Sequence, residues 1–314
     1  MSLLRVLLVE DSQEDAELIT RTLKKFTNGA RLEVKRVDNM RDIIAAINTE
    51  SWDLVICDYV LPGLDASKVI QVLEDSDMDV PFILTSGAIT EKVAHAALEM
   101  GAHEYVSKDN IERLIPVIRR ELKISGAYDQ TLLAWVRALS FRDNETKGHS
   151  ERVVDLTVQL ARKMGLAEST IVHIRRGALL HDIGKLGVSD SILLKEGKLT
   201  EEEMSRMKMH TMIGRDLLAE IPFLKRAVEI PHYHHERWDG SGYPYGLEGI
   251  EIPLAARIFA VVDVYDALST NRPYRGALSR EEVFGYIKQQ RGKYFDPTVV
   301  DAFLEMMEGD HDSE

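Results

Sequence analysis

The residues able to do chemistry come in two groups, and the richer one is histidine and carboxylate. His181-Asp182 puts an imidazole beside a carboxylate in the run Ile174–Lys185, a pair able to bind and bridge two cations. His149 lies four residues before Val153, in line with Leu156 and Leu160, so helical geometry turns it toward the same core, with Glu145 one turn earlier. Thr200 and Glu203 spell a capping box that starts a helix, and His210 falls within it on the face of Met207, Gly214 and Leu217. His234-His235 is a second adjacent pair. Asp263 sits inside Ile258–Val264, where an unpaired carboxylate is costly to bury. One inward histidine is ordinary core, and His173 and His232 are read that way. Four segments together point to metal. Imidazole and carboxylate without thiolate suit iron, manganese, zinc or cobalt, and shared carboxylates suit more than one ion. Such a pair of ions supplies a hydroxide at neutral pH and polarises a phosphoryl oxygen, which is the chemistry of phosphodiester hydrolysis.

The second group closes short apolar runs near the amino terminus. Glu10 and Asp11 follow Leu3–Val9, Asp58 follows Leu54–Cys57, Ser86 ends Phe82–Thr85, and Lys108 follows Tyr105–Ser107. Crowded carboxylates resist ionisation unless a cation joins them, and magnesium suits an oxygen-only set. With that ion and Lys108 neutralising charge, Asp58 can attack a phosphoryl group whose oxygens Ser86 then holds.

These groups need scaffolds. Up to about Leu122, buried strand-like runs alternate with amphipathic stretches, the pattern of a doubly wound parallel sheet, in which ligands gather at the carboxyl ends of strands. From Asp129 onward strand signals fade and the apolar period becomes helical. Ile111–Leu122 reads as the last helix of the first domain, Ser125-Gly126 as a weak point, and Tyr128–Phe141 as a further helix. The expected domains are 1–124, α/β and flavodoxin-like, and 125–310, all-α. The stripe Ile111, Leu114, Ile118, Leu122 suits either internal packing or a helical homodimer contact. Glu308–Glu314 reads as a frayed acidic tail.

Composition narrows the classes. A net charge of -13, from 39 basic and 52 acidic residues, argues against general nucleic-acid coating. The single cysteine, Cys57, excludes a disulfide framework or a cysteine-rich zinc site. No apolar stretch is long enough to span a bilayer and no cleavable-signal pattern is present, so a cytoplasmic setting is expected.

The strand-end set resembles the response-regulator receiver family over about residues 3–122. The resemblance implies Asp58 as phosphoacceptor, Glu10 and Asp11 as magnesium-side acids, Ser86 as the switch hydroxyl, Tyr105 as the switch aromatic and Lys108 as the family's lysine, with Leu61-Pro62-Gly63 as the loop after the acceptor. Asp109 after Lys108, where proline is usual, and Ala66 after Asp65, where glycine is common, depart from the pattern without removing a chemical group. The partner implied is a cognate sensor histidine kinase. His181-Asp182-Ile183-Gly184-Lys185 and His234-His235-Glu236-Arg237-Trp238-Asp239-Gly240-Ser241-Gly242-Tyr243-Pro244 resemble the HD-GYP branch of the HD phosphohydrolases, over about residues 128–305. That resemblance implies metal ligation by His149, His181, Asp182, His210, His234, His235 and Asp263, with Glu145 at the place of a third-ion carboxylate. Asp182 and Lys185 are then catalytic, Lys185 lying beside the attacking hydroxide and the substrate phosphate. Arg272 and Arg275 become phosphate contacts, and Tyr243 shapes the substrate pocket. Asp266 orients Arg272 or a ligating histidine. Ser189 and Glu196 replace prolines common in the family. The activity implied is hydrolysis of cyclic di-GMP, with pGpG or GMP as the final product, by two or three divalent ions, iron or manganese favoured, under control of Asp58 phosphorylation. The competing readings are a non-catalytic module that binds cyclic di-GMP or a GGDEF diguanylate cyclase, and a hydrolase of another cyclic dinucleotide such as 3',3'-cGAMP.

Overall fold

The computed structural model describes residues 3–76, 78, 80–87, 95, 98–99, 101–143, 148–271 and 276–309. The chain forms two compact units, Met1–Gln130 with Ala167–Thr170, and Thr131–Leu166 with Ile171–Glu314.

The first unit is built on strands β1 (Leu3–Val9), β2 (Arg31–Val37), β3 (Leu54–Asp58), β6 (Phe82–Ser86) and β7 (Glu104–Ser107), all parallel, in the order β2-β1-β3-β6-β7. A small hairpin of β4 (Val60–Leu61) and β5 (Leu64–Asp65) follows the third strand. Every residue of β3 and β6 is buried, because apolar side chains alternate between two cores. Leu8, Leu54, Ile56 and Ile83 pack on one face with Ile19, Leu23 and Ile118, and Leu7, Val55, Cys57 and Leu84 on the other with Ile43, Ile47 and Val69. The register pairs Val9 with Cys57, Asp58 with Thr85 and Ser86 with Ser107, so the strand ends that carry polar residues line up at one edge. Strand order reverses at β1 and β3, which opens a crevice there.

The helix Leu114–Ser140 runs on through Ser125-Gly126, where a weak point was expected, and the division between the two compact units falls within it, after Gln130. A helix-interior glycine costs only about 1 kcal/mol relative to alanine. Packing at both ends outweighs that. Leu114, Val117 and Ile118 are buried in the first unit's core, and Leu132 in a cluster with Leu180, Ile183 and Leu218.

The second unit is helical, and no named strand falls in its described residues. Its centre is the helix Leu254–Ser269, in which Ala255, Ala256, Ile258, Phe259, Val261 and Val262 are all buried. Around it lie His149–Lys163, Glu229–Tyr233, Arg280–Gln290 and Pro297–Gly309. The capping box at Thr200 and Glu203 forms as expected, but its helix ends at Lys208, and His210 opens a new helix, His210–Ala219. Among the described residues no helix is long and apolar enough to cross a membrane. The acidic tail beyond Gly309 lies outside the described residues.

Candidate active site and receiver pocket

In the second unit His181, His210 and His234 converge on the carboxylate of Asp182, and His149 lies beside Asp263 and Asp266. His149 is the first residue of its helix, His181 follows the end of Glu168–Leu179, His210 opens its helix, and His234 closes Glu229–Tyr233. Each has its Nδ1 held by an acceptor: Asp266 Oδ2 at 2.7 Å for His149, Ala178 O at 2.9 Å for His181, Met207 O at 2.8 Å for His210, and Ile230 O at 3.0 Å for His234. Carbonyl and carboxylate oxygens accept only, so Nδ1 carries the proton and each Nε2 presents a lone pair. Those Nε2 atoms face inward. His181 Nε2 is 3.2 Å from Asp182 Oδ2, while His210 and His234 Nε2 are 3.4 and 3.9 Å from Oδ1. His210 and His234 Nε2 lie 3.4 Å apart, two lone pairs facing one another.

Two trios emerge, His210 with His234 and His235, and His149 with His181 and Asp263, each with ligand atoms within 4.8 Å of one another. Asp182 offers one oxygen to members of each. Burial, and next His235, holds His234 well below the usual imidazole range; burial also lowers His210, and burial with His210 brings His235 to about 3. The three are neutral near pH 7, as metal ligands must be. Asp182 stays ionised although burial opposes it, because the Lys185 ammonium holds its carboxyl well below the ordinary value. Lys185 Nζ lies 2.7 Å from Asp182 Oδ2 and 2.6 Å from Asp143 Oδ2, and these two carboxylates raise its ammonium against the opposing effect of burial.

Close packing fixes the frame. A Cβ on Gly184 would lie 1.8 Å from His210 O and 2.5 Å from Gly214 N, so only glycine lets the 3-10 turn Ile183–Gly187 meet the His210 helix. Gly242 is equally confined, by Arg237 N at 2.4 Å and Glu236 Cα at 2.5 Å. This folds Tyr243 back so that its N–H donates to His235 O at 3.1 Å and its ring stacks on His235 at 4.6 Å. Lys208 Nζ stands 4.9 Å from the centre of the Tyr243 ring.

Expected residues thus gather, with exceptions. Asp263 is half-buried rather than buried; the buried carboxylate of that helix is Asp266, which holds His149 and accepts from Arg152 Nε at 2.5 Å. Of the two roles expected for Asp266, the orientation of a histidine is the one seen. Glu145, Arg272 and Arg275 lie outside the described residues. Sequence reading missed Asp143, Arg152 and Glu236. Glu236 is buried and accepts from the N–H groups of Tyr245, Gly246 and Leu247 at 2.7, 3.2 and 3.1 Å, tying down the loop after Pro244. Its place inside the motif was the available signal.

In the first unit Lys108 Nζ joins Glu10 Oε2 at 2.8 Å, Asp58 Oδ2 at 2.7 Å and Asp15 Oδ2 at 2.6 Å. Burial lifts the Glu10 carboxyl above its usual value, and Lys108 offsets part of that. Burial also opposes the Lys108 charge, but the three carboxylates outweigh it and raise its ammonium. The carboxylate cluster is Glu10, Asp15 and Asp58, while Asp11 is exposed and its backbone oxygen accepts from Arg36 at 2.6 Å. Asp15 was missed because it reads as a cap residue: its N–H donates to the N-cap Ser12. Ser86 and Tyr105 are buried at the same edge of the sheet, and the Tyr105 hydroxyl has no hydrogen-bond partner among the described residues.

Comparison with known proteins agrees with both halves. A family model described as HD domain matches residues 134–299, and one described as response regulator receiver domain matches residues 6–119. The chain belongs to the HD-domain family, with a response-regulator receiver domain preceding the HD domain. It is 34% identical to the cyclic di-GMP phosphodiesterase response regulator RpfG of Xanthomonas campestris, over 96% of this chain and 87% of that one. It is also 34% identical to a cyclic di-GMP phosphodiesterase of Thermotoga maritima, over 96% and 90%. Over 54% of this chain and 33% of the other, it is 40% identical to 3'3'-cGAMP-specific phosphodiesterase 2 of Vibrio cholerae.

Proposed function

We propose that the chain is an HD-GYP-type, metal-dependent phosphodiesterase that opens cyclic di-GMP to pGpG, under control of a phosphorylatable receiver. The observation that carries this reading is the convergence of inward-facing Nε2 lone pairs on Asp182, with Lys185 beside it.

The donor set fits divalent transition metals. Two unprotonated nitrogens 3.4 Å apart repel unless a cation lies between them. Metal–nitrogen bonds of about 2.0–2.1 Å in a tetrahedral arrangement separate their nitrogens by about 3.4 Å. His210, His234 and His235 would hold one ion, His149, His181 and Asp263 another, and Asp182 both; Glu145 is assigned to a third. Bound there, iron or manganese supplies Lewis acidity and a water-derived nucleophile. The chain's own residues do the rest. Lys185 holds a phosphoryl oxygen as negative charge develops on it, Arg272 and Arg275 take the second phosphate, and Asp266 keeps His149 in the Nδ1–H tautomer. Tyr243 walls the pocket beside His235.

In the receiver, Asp58 is assigned as phosphoacceptor for a sensor histidine kinase. Glu10 and Asp11 serve on the magnesium side, Ser86 and Tyr105 as switch residues, and Lys108 as the phosphoryl contact. A homodimer and a GGDEF diguanylate cyclase are the proposed protein partners. The test of substrate is competing hydrolysis of cyclic di-GMP and 3',3'-cGAMP by manganese-loaded protein. Preferential conversion of the former to pGpG supports the reading, and preference for the latter replaces its substrate. Treatment with beryllofluoride tests control: a changed rate supports signalling through Asp58, and unchanged rate and oligomeric state oppose it.

A further inference from the structure

The dipeptide Arg142-Asp143 has no part in the function assigned so far, yet it grips the segment that carries Lys185. Arg142 Nε donates to Asp190 Oδ1 at 2.7 Å, Nη1 to Leu186 O at 2.8 Å and Nη2 to Val188 O at 2.6 Å. Leu186 inside the Ile183–Gly187 turn and Val188 and Asp190 just after it are thereby pinned to one planar, pre-organised fork. Asp143 then reaches the side chain itself, 2.6 Å from Lys185 Nζ. The dipeptide is itself fixed, since the N–H groups of Arg142 and Asp143 both donate to the carbonyl of the buried Leu139 at 2.8 Å.

An ammonium has three donors on a flexible stem. Asp182 takes one and Asp143 a second, and among the described residues no further acceptor takes the third. With Asp182 alone, Lys185 can swing and fold down on that carboxylate. With both, its remaining N–H has one direction.

We propose that Arg142 and Asp143 are positioning residues for Lys185, fixing its backbone and its ammonium so that the third N–H is presented to a phosphoryl oxygen of the substrate. The inference rests on the phosphodiesterase reading for the identity of that oxygen, but the positioning itself does not.

The test uses full-length, manganese-loaded protein and the variants Asp143→Ala, Asp143→Asn and Arg142→Lys. Reductive methylation followed by peptide mass spectrometry reads the reactivity of each lysine. Expected is a rise of about tenfold at Lys185 in Asp143→Ala, a smaller rise in Asp143→Asn, which keeps an acceptor oxygen, and no change at Lys195, which pairs with Glu203. Metal content and unfolding temperature stay at the wild-type values. In turnover of cyclic di-GMP, kcat falls by about ten- to a hundredfold in Asp143→Ala while KM moves less than about threefold, the pattern of a contact made in the transition state. Arg142→Lys, which keeps the charge and loses the fork, shows the same split more weakly. Unchanged Lys185 labelling in Asp143→Ala overturns the proposal, as does faster labelling with an unchanged kcat. If wild type fails to turn over the dinucleotide, the phosphodiesterase reading fails by itself, and the labelling experiment still decides whether Asp143 positions Lys185.

Discussion

Gly184→Ala adds one methyl group at the most confined glycine among the described residues. Its Cβ would sit 1.8 Å from His210 O, 2.5 Å from Gly214 N and 2.8 Å from the His210 carbonyl carbon, all backbone atoms that no rotamer change can move aside. Restoring ordinary contact separates the Ile183–Gly187 turn from the His210–Ala219 helix by about an ångström or more. Overpacking costs about 1–3 kcal/mol, and a backbone obstacle puts this case at the upper end. At about 2–4 °C per kcal/mol for a unit of this size, the unfolding temperature falls by about 6–12 °C. The same separation pulls His181 and Asp182 from His210, which share the two sides of that contact. Ligand distances tolerate only about 0.2 Å, so metal content drops as well. The matched control is Gly285→Ala, a helix-interior site with nothing within 4 Å of the added carbon, where stability rises by about 0.5–1 kcal/mol. Thermal unfolding and metal analysis are read on both variants. A Gly184→Ala protein that melts with wild type and keeps its metal refutes the packing argument.

Asp266→Asn removes the charge that holds His149 Nδ1–H and leaves Arg152 without its carboxylate; affinity for the second metal falls about 10–100-fold, and an unchanged metal titration contradicts that role. Glu236→Gln sets an amide against three backbone N–H groups; hydrogen exchange at Tyr245, Gly246 and Leu247 quickens, and wild-type protection there would show that the carboxylate does not hold the loop. Acid destabilises the metal-free protein. Below the ordinary imidazole value of 6.5 the unfolded chain takes up protons at His210, His234 and His235, whereas the folded site resists, His235 down to about 3, so stability falls with pH across that window. A flat unfolding temperature between pH 6.5 and 4 opposes this.

Much of the fold was written in periodicity. The strands β1, β3, β6 and β7 were legible because each carries a short cluster of apolar residues that ends in polar ones, with Arg5 the one charge inside β1. The edge strand Arg31–Val37 was not, since charged residues interrupt it where it meets water. The helix through Gly126 was misjudged because local propensity is weak beside burial at both ends. The single helix expected from Thr200 is two, divided at Met209, and the apolar period alone carried no sign of that. For the site, helical spacing turned His149 inward with Val153, and adjacency flagged both pairs. Asp143 and Asp15 were invisible for a common reason: each acts by touching a lysine far along the chain, 42 residues away for Lys185 and 93 for Lys108, and no spacing rule encodes such a contact.

Metal-supported chemistry at Asp182 is what the phosphodiesterase reading requires. Protein purified without oxygen is analysed for metal and followed over time with cyclic di-GMP, beside the double variant His181→Ala/Asp182→Ala. Expected are at least two transition-metal ions per chain, pGpG formed by wild type, and neither full metal content nor product in the variant. Metal-filled wild type that binds the dinucleotide without cleaving it contradicts that reading, and makes this domain a receptor for cyclic di-GMP.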